Sequence, residues 1–254
     1  TQRRALAGPR RAMWQAAPHG VIAATGGIRD QIRRTYGAPS RVIPEIGTPP
    51  RVVEVPPRRA PGEPLRLVWS GEHLAGKALP LLLDALGRLP EGVSWRLTVL
   101  GDGPRTRSWQ RRASRRGVAD RCTWTGWLDR DAALERMQRQ HVLVITSMKD
   151  LTSTVLLEGV SLGLAVIAPD HCGFPDVLAP DRGVLLPVRR PSAFVGDLAR
   201  ASQALERDEP MRQRYAAAAL ASLDRFSWER KAIEVREVYA AVAEPIRARR
   251  GLAS

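Results

Sequence analysis

The chain has 254 residues, a formal net charge of +14 and a hydrophobic content of 44%. This length and composition suit a globular protein with one large domain, or with one domain and part of a second. No apolar run approaches the roughly 20 residues of a membrane-spanning helix, and the first residues do not resemble a signal peptide. The two cysteines, Cys122 and Cys172, exclude a disulfide framework, so we expect a reducing, cytoplasmic location.

The positive charge comes almost entirely from arginine, because only Lys77, Lys149 and Lys231 are lysines among the 40 basic residues. A basic chain can bind nucleic acid, but these arginines are scattered along predicted helices. We therefore interpret them as solvated surface and expect no specific nucleic-acid binding. Their long-range field can attract a nucleotide or anionic lipid, which is compatible with peripheral association at the inner face of a membrane.

Residues 1–47 predict a helix over 1–17, a strand over 21–25, a helix over 28–37 and a strand over 41–47. Two strands with helices cannot form an independent α/β layer. We therefore expect this segment to be the remnant of a larger N-terminal, acceptor-binding domain, and the chain to be N-terminally truncated.

A proline-rich segment follows. Residues 44–64 contain seven prolines, which disfavour regular secondary structure. We interpret residues 48–64 as an interdomain linker.

Strands alternate with helices after this linker. The predicted strands are residues 65–71, 95–101, 122–127, 142–145, 165–168 and 183–188. The predicted helices are residues 77–89, 105–116, 130–140, 155–162, 192–207 and 210–224. This alternation is typical of an α/β domain with a parallel, doubly wound sheet of about six strands, over residues 65–225. A long amphipathic helix over 226–244 is predicted within the C-terminal segment 226–254.

The predicted strand over 142–145 and the helix after it carry the most specific pattern. Thr152 or Ser153 can cap this helix. A helix start at the carboxyl end of a parallel strand presents free N–H groups and a positive dipole, which suit a phosphate. Lys149 adds a cation beside it.

Two carboxylates in this segment, Asp150 and Glu158, stand eight residues apart. The first lies in the loop and the second about a turn and a half into the helix, so both can face one crevice and accept hydrogen bonds from sugar hydroxyls. An unpaired buried carboxylate is costly, so we expect Glu158 to have a hydroxyl or amide partner. An acidic pair at this spacing is also common by chance, and alone it would favour a structural role.

This arrangement resembles the C-terminal domain of the retaining, nucleotide-sugar-dependent glycosyltransferases of family 4, which have the GT-B fold. That family has a Pro-Ser, a Glu, a Gly-Phe-Gly-like run and a second Glu eight residues after the first. The corresponding residues here are Thr146-Ser147, Asp150, Leu151-Thr152-Ser153 and Glu158. The spacing is kept, and the resemblance covers roughly residues 20–244.

The loop after the first strand of this domain also resembles the family, which has a Gly-Arg and, six residues after the Gly, a Lys that bind the donor diphosphate. Gly71 and Lys77 keep their places, whereas Glu72 stands where the Arg is expected. A carboxylate repels phosphate, so this departure weakens the expected diphosphate site unless Lys149 or His73 compensates.

Three other loops reach the same edge of the predicted sheet. Gly101-Asp102-Gly103-Pro104 matches the family's Gly-Asp-Gly-Pro, and Gly173-Phe174-Pro175-Asp176 resembles its Gly-x-Pro-Glu. Gly126-Trp127 stands where family members contact the nucleobase. Trp127 can offer a stacking face there, although a core or surface tryptophan is about as common.

The resemblance implies that Asp150, Glu158 and Lys77 are catalytic, with Asp150 on the donor-sugar hydroxyls, Glu158 on the ribose hydroxyls and Lys77 on the diphosphate. The implied donor-binding residues are Gly71, Lys77, Gly103, Gly126, Trp127, Lys149, Asp150, Leu151, Thr152, Ser153, Thr154 and Glu158. The implied partners are a nucleotide-diphosphate sugar and an acceptor of unknown class, which is a lipid, a polysaccharide, a small molecule or a protein. No metal cofactor is expected, because four scattered histidines and two distant cysteines provide no ligand spacing.

Other interpretations remain open. A catalytically inactive nucleotide-binding or partner protein of the same fold is favoured by Glu72 and by the truncation. Another GT-B enzyme, such as a nucleotide-sugar epimerase, would need carboxylates and histidines on both sides of a cleft. A nucleic-acid binder would need its arginines on one face. For the isolated chain we expect nucleotide binding at best and little or no transfer.

Overall fold

The computed structural model describes residues 20–48, 55 and 58–249. The predicted helix over 1–17 and much of the predicted linker over 48–64 lie outside these described residues.

The chain forms two compact units. One contains the segments up to residue 49 and from residue 224 onward, and the other runs from residue 50 to residue 223. The assignment of these units to a remnant of an acceptor domain and a donor domain stays a prediction.

The larger unit is built on a six-stranded sheet in which every neighbouring pair is parallel. Its strands are β3 (Leu65–Ser70), β4 (Trp95–Leu100), β5 (Cys122–Trp124), β6 (Val142–Val144), β7 (Ala165–Asp170) and β8 (Val184–Pro187). Their order across the sheet is β5-β4-β3-β6-β7-β8. The predicted parallel, doubly wound sheet of about six strands is therefore confirmed.

The central strands are buried on both faces, which explains their nearly continuous apolar sequences. All three residues of β6 are buried, and so are the first five of β7. Helices must cover both faces of such a sheet. In chain order they are α2 (Leu79–Leu86), α3 (Thr106–Arg115), α4 (Arg130–Gln138), α5 (Thr154–Ser161), α6 (Phe174–Val177), α7 (Pro191–Arg207) and α8 (Glu209–Ala221).

Two helices of this unit differ from the prediction. Helix α2 begins at Leu79 rather than at Lys77, and a 3-10 turn over Ala75–Lys77 precedes it. Pro80 fits the first turn of a helix, where its missing N–H costs no hydrogen bond, so it favours this later start. The short helix α6 was not predicted, because four residues give no measurable periodicity.

The smaller unit contains β1 (Ile22–Ala23), α1 (Gly26–Tyr36), β2 (Arg41–Val42) and the 22-residue helix α9 (Trp228–Arg249). Strands β1 and β2 pair in parallel. Both are shorter than predicted, because Thr25 already caps α1 and Pro44 cannot donate to a strand ladder. Helix α1 ends at Gly37 as predicted, with a left-handed φ of 68°.

Helix α9 is held to this unit by a buried lysine. The Nζ atom of Lys231 donates to the carbonyl oxygen of Pro44 at 2.8 Å, and burial lowers the pKa of this lysine. Across the described residues, no helix has the length and apolarity needed to cross a membrane.

Candidate functional site

The candidate site lies where the chain changes direction across the large sheet. From β3 the chain first builds β4 and β5 on one side, and then returns to place β6 on the other side. Open parallel sheets bind ligands outside the carboxyl ends of their strands, at this kind of switch point. The loops that follow β3 and β6 meet there.

Two hydrogen bonds fix these loops against each other. The Thr146 hydroxyl donates to the carbonyl oxygen of Lys77 at 2.7 Å and accepts from the buried Trp69 indole N–H at 2.9 Å. The Met148 N–H donates to the carbonyl oxygen of Gly76 at 2.9 Å. Both bonds between the loops end on backbone carbonyl oxygens of the loop after β3, so the loops are held together without the side chains of Lys77 and Asp150.

The structure brings the predicted phosphate-binding cation and the predicted sugar-binding carboxylate together. The Nζ atom of Lys77 lies 2.7 Å from Oδ2 of Asp150, and 30% and 17% of the two side chains are exposed. The other carboxylate oxygen, Oδ1, accepts from the Leu151 N–H at 3.2 Å. The charges of Lys77 and Asp150 therefore neutralise each other.

Helix α5 begins at Thr154, directly after this loop. The Leu156 N–H already donates to the Ser153 carbonyl oxygen at 2.9 Å. The N–H groups of Thr154 and Val155 have no acceptor within the helix, so they can bind an anion. Ser153 occupies the N-cap position, but its side chain makes no capping hydrogen bond, so the prediction of a side-chain cap at this residue is wrong. Thr152 and Ser153 are buried, whereas Thr154 is exposed at the helix start.

Lys149 and Leu151 are the exposed side chains on either side of Asp150. No ion pair joins Lys149 to any carboxylate within the described part of the chain. The Leu151 carbonyl accepts from the Gly173 N–H at 2.7 Å, which ties the loop after β7 to this loop. Among the described residues, Lys149 is therefore an uncommitted cation beside the Lys77–Asp150 pair.

Glu158 pairs with an arginine rather than with the expected hydroxyl or amide. The Nε atom of Arg130 donates to Oε1 of Glu158 at 3.2 Å, where 17% of the glutamate side chain and 67% of the arginine side chain are exposed. Asp150 therefore pairs with Lys77, and Glu158 pairs with a different cation, Arg130. Sequence reasoning missed Arg130, because it precedes Glu158 by 28 residues and meets it only through the packing of α4 beside α5.

A pocket of about 630 Å³ opens beside the carboxyl ends of β3 and β4. Three of the predicted donor-binding residues, Gly71, Gly103 and Trp127, line it. The Trp127 side chain is 76% exposed, so its ring face is available for stacking. Glu72 and Asp102 also line this pocket, and they give its wall a negative charge.

The loops that form this wall are held by hydrogen bonds of His73. Its N–H donates to the carbonyl oxygen of Asp102 at 2.9 Å, and its carbonyl oxygen accepts from the Arg105 N–H at 3.1 Å. Its ring Nδ1 lies 2.7 Å from the Thr106 hydroxyl. Gly126 joins the same wall, since its carbonyl oxygen accepts from the Gly101 N–H at 3.0 Å.

His73 cannot compensate for Glu72, which corrects one expectation from the sequence. The ring is fully buried and lies 5.0 to 5.8 Å from the rings of Trp69, Trp109 and Trp124. Burial lowers the pKa of His73, although the Asp102 charge opposes this shift, so the ring is neutral at pH 7. Glu72 is exposed, and no ion pair involves it in the segments that the structure describes.

Metal ligation gives no second candidate site. Among the described residues, no group of three or more His, Cys, Asp or Glu side chains is placed to hold a metal ion. The prediction that no metal takes part stays a prediction.

Comparison of the sequence with known families and proteins shows what this chain is similar to. The sequence model of the family described as glycosyl transferases group 1 matches residues 55–221. A D-inositol 3-phosphate glycosyltransferase of Xylanimonas cellulosilytica is 29% identical over 245 residues, which cover 89% of this chain and 57% of that protein. A phosphatidyl-myo-inositol mannosyltransferase of Mycobacterium tuberculosis is 28% identical over 170 residues, which cover 66% of this chain and 44% of that protein. The chain thus spans about half the length of these curated relatives.

Solved structures show the same fold. The lipopolysaccharide outer core galactosyltransferase WaaB, in its apo form, superposes with a TM-score of 0.73 at 23% identity, over 86% of this chain and 60% of that chain. HepE of Anabaena, in complex with UDP, superposes with a TM-score of 0.71 at 17% identity, over 87% of this chain and 63% of that chain. The predicted GT-B-type fold is therefore confirmed.

Proposed function

The chain belongs to the glycosyl transferases of group 1, and from this premise we propose that it carries the donor-binding half of a retaining glycosyltransferase. In the proposed reaction, a sugar moves from a nucleotide diphosphate to an acceptor hydroxyl with retention of anomeric configuration. The bond between the anomeric carbon and the β-phosphate oxygen breaks, and the nucleoside diphosphate leaves with the electron pair. The acceptor oxygen bonds to the anomeric carbon and transfers its proton to an oxygen of the leaving diphosphate.

The observation that carries this proposal is the meeting of Lys77 and Asp150 at the switch point of the sheet, with 2.7 Å between Nζ and Oδ2. A cation suits the diphosphate and a carboxylate suits sugar hydroxyls. In a nucleotide sugar these two groups are directly bonded, so one donor molecule can contact both side chains.

Stabilisation of the leaving diphosphate is the proposed catalytic contribution of this half. Negative charge develops on the diphosphate as the glycosidic bond breaks, and fixed positive groups around it lower the barrier. Lys77, Lys149 and the N–H groups of Thr154 and Val155 at the start of α5 would supply them. A nucleotide-sugar co-substrate is the ligand that these groups would take, with no further cofactor.

The pocket beside β3 and β4 would hold the nucleoside. Glu158 would accept hydrogen bonds from the ribose hydroxyls, and Trp127 and the backbone around Gly126 would face the base. The complex of Anabaena HepE with UDP supports a nucleoside diphosphate as the ligand of this fold.

The relatives support an acceptor that carries hydroxyl groups on a polar lipid or polyol. One is named for D-inositol 3-phosphate and another for phosphatidyl-myo-inositol. We propose an acceptor of this class for the whole protein, together with peripheral membrane association.

Helix α3 would provide the membrane-facing surface. Arg107, Arg111 and Arg115 are exposed and follow each other at intervals of four residues, opposite the buried Trp109 and Ala113. No ion pair neutralises these three arginines in the described part of the structure. Like charges at this spacing destabilise a helix slightly, so anionic headgroups would relieve their repulsion. Co-sedimentation with phosphatidylglycerol vesicles tests this surface. We expect the wild type to sediment with these vesicles but not with phosphatidylcholine vesicles. Replacing all three arginines by Gln should abolish the co-sedimentation.

A catalytically inactive nucleotide-binding protein is the second candidate. Glu72 favours it, because a carboxylate on the pocket wall cannot stabilise the negative charge that develops on a leaving diphosphate. This candidate predicts that nucleotide binding occurs without consumption of any nucleotide sugar, even when the protein is supplied with its acceptor-binding half.

Thermal unfolding with a panel of UDP, GDP, ADP and their glucose or mannose conjugates tests the proposal. A ligand that binds only the folded state raises Tm, and a hundredfold excess over Kd adds about 2.7 kcal/mol. We expect one base to raise Tm in the wild type but not in Lys77→Ala. A folded chain whose Tm responds to no nucleotide would contradict the proposed donor site.

A further inference from the structure

Lys77 is paired with a carboxylate of its own chain. Asp150 supplies that carboxylate at 2.7 Å, and 17% of its side chain is exposed. We infer that Asp150 selects the complete donor over the free nucleoside diphosphate, by exchanging Lys77 for sugar hydroxyls when a nucleotide sugar binds. This inference rests on the proposed function of the same crevice.

The backbone around the pair allows this exchange without a loop movement. The Thr146 hydroxyl holds the Lys77 carbonyl at 2.7 Å, and the Met148 N–H holds the Gly76 carbonyl at 2.9 Å. Only the two side chains must change partners. The exchange is therefore a local competition between Asp150 and a phosphate for one ammonium group.

A free nucleoside diphosphate meets a penalty in this competition. When its phosphate takes Lys77, Asp150 loses its cation while most of its side chain is shielded from water. Removing one partner of a shielded ion pair is unfavourable, because the remaining charge is neither paired nor well solvated. Within the described part of the chain, the Leu151 N–H, at 3.2 Å from Oδ1, is the donor that this carboxylate keeps.

A nucleotide sugar avoids the penalty. Its phosphate takes Lys77, and the hydroxyls of its sugar donate to the freed Asp150 carboxylate. The same residue therefore strengthens binding of the substrate and weakens binding of the diphosphate product, which promotes product release after transfer.

Two other charged side chains lie around the proposed diphosphate position, and they make diphosphate binding depend more strongly on Lys77. Glu72 supplies a negative charge on the pocket wall, and Lys149 is exposed with no ion pair in the described residues. Lys149 can meet an incoming phosphate at once, whereas Lys77 contributes only after exchange.

The test compares UDP with UDP-glucose, GDP with GDP-mannose and ADP with ADP-glucose by titration calorimetry of the full chain. The pair used is the one whose diphosphate binds the wild type. Asp150→Asn keeps the size of the side chain and its capacity to bond a hydroxyl, but it releases Lys77. We expect this variant to bind the diphosphate about tenfold more tightly, while the nucleotide sugar gains no affinity.

A second variant separates exchange from general charge repulsion. In the Lys77→Ala background, Asp150→Asn should change diphosphate affinity less than twofold, because no cation is left to release. Glu158→Gln is the matched control, since it removes another carboxylate of the proposed donor site, one that pairs with Arg130 instead. This variant should bind the diphosphate and the nucleotide sugar more weakly by the same factor.

The outcomes distinguish the inference from the proposed function. If the wild type binds a diphosphate but Asp150→Asn binds it equally or more weakly, donor selection by Asp150 is wrong and the donor site stands. If Asp150→Asn has the same effect with and without Lys77, the effect is repulsion and not exchange. If neither chain binds any nucleotide while both are folded, the proposed function and this inference are both wrong.

Discussion

Gly71 and Gly101 cross so closely that a Cβ atom on Gly101 would lie 2.1 Å from the carbonyl oxygen of Gly71. These glycines follow neighbouring strands, β3 and β4, and Gly101 has a φ of 105°, where side chains are disfavoured. The Gly71 N–H donates to the Leu100 carbonyl at 3.2 Å. The pocket wall between the two strands therefore requires the absence of a side chain at position 101.

Replacing Gly101 by Ala should destabilise the protein strongly, because the new methyl group meets rigid backbone and φ is unfavourable. We expect a loss of about 3 kcal/mol or more in the free energy of unfolding, measured by urea denaturation. Gly117→Ala is the control, since Gly117 has a φ of 67° but nothing within 4 Å of the added Cβ. It should lose about 1–2 kcal/mol, and equal losses at both positions would show that the close approach is unimportant.

Replacing Glu72 by Arg should strengthen nucleotide binding. The change removes a repulsive carboxylate from the pocket wall and adds a guanidinium that can bond a phosphate. We expect Kd for the bound diphosphate to fall about tenfold or more by calorimetry. Glu72→Gln removes only the repulsion and should give a smaller gain; no gain in either variant would mean that Glu72 does not face the diphosphate.

Replacing Glu158 by Gln should weaken the binding of ribonucleotides, because its carboxylate is proposed to accept hydrogen bonds from the ribose. Hydrogen bonds to charged groups contribute about 1.5–3 kcal/mol, so we expect about a tenfold or greater increase in Kd. The same substitution should leave the Kd of a 2′,3′-dideoxy diphosphate nearly unchanged. An equal loss for both ligands would place Glu158 away from the ribose.

The stability of the protein should fall as the pH drops below about 6.5, because His141 stays neutral in the folded chain. Burial, followed by the charges of Arg66 and Arg212, lowers the pKa of His141 to about 3. Its Nδ1 accepts from the Arg66 N–H at 3.0 Å, which also requires the neutral ring. An unfolded histidine has a pKa of about 6.5, so the unfolded chain takes up a proton that the folded chain refuses until the pH approaches 3.

Urea denaturation at pH 7.5, 6.5 and 5.5 measures this effect. The free energy of unfolding should decrease toward pH 5.5 in the wild type and less steeply in His141→Gln, whose amide oxygen can accept the same hydrogen bond. Some slope should remain, because burial also lowers the pKa of His73. Identical slopes in the two chains would contradict a neutral, buried His141.

The order of strands and helices was predictable, because the apolar segments are long and well separated. The apolar runs over 142–145 and 165–168 predicted buried strands. The loops around Gly71 and Asp150, together with Glu158 in the following helix, indicated the fold family. Helix boundaries were less predictable. The start of α2 depends on Pro80 and on a left-handed Ala78, with a φ of 51°, rather than on the apolar periodicity.

The side-chain contacts of the candidate site were not predictable from local sequence. Arg130 reaches Glu158 through helix packing, and no spacing rule connects residues so far apart. His73 was expected to be able to compensate for Glu72, but it is enclosed by the rings of Trp69, Trp109 and Trp124. Tertiary packing decides both contacts.

The central claim is that Lys77, at the switch point of the sheet, binds the diphosphate of a nucleotide. Calorimetric titration of the purified chain with UDP, GDP and ADP measures this directly, with Lys77→Ala and, as a control for net charge, Arg115→Ala at the far end of α3. We predict saturable binding of one nucleotide, with Kd raised at least tenfold by Lys77→Ala and unchanged by Arg115→Ala. Binding that is equally strong in Lys77→Ala, or a folded wild type that binds none of the three nucleotides, would contradict the account.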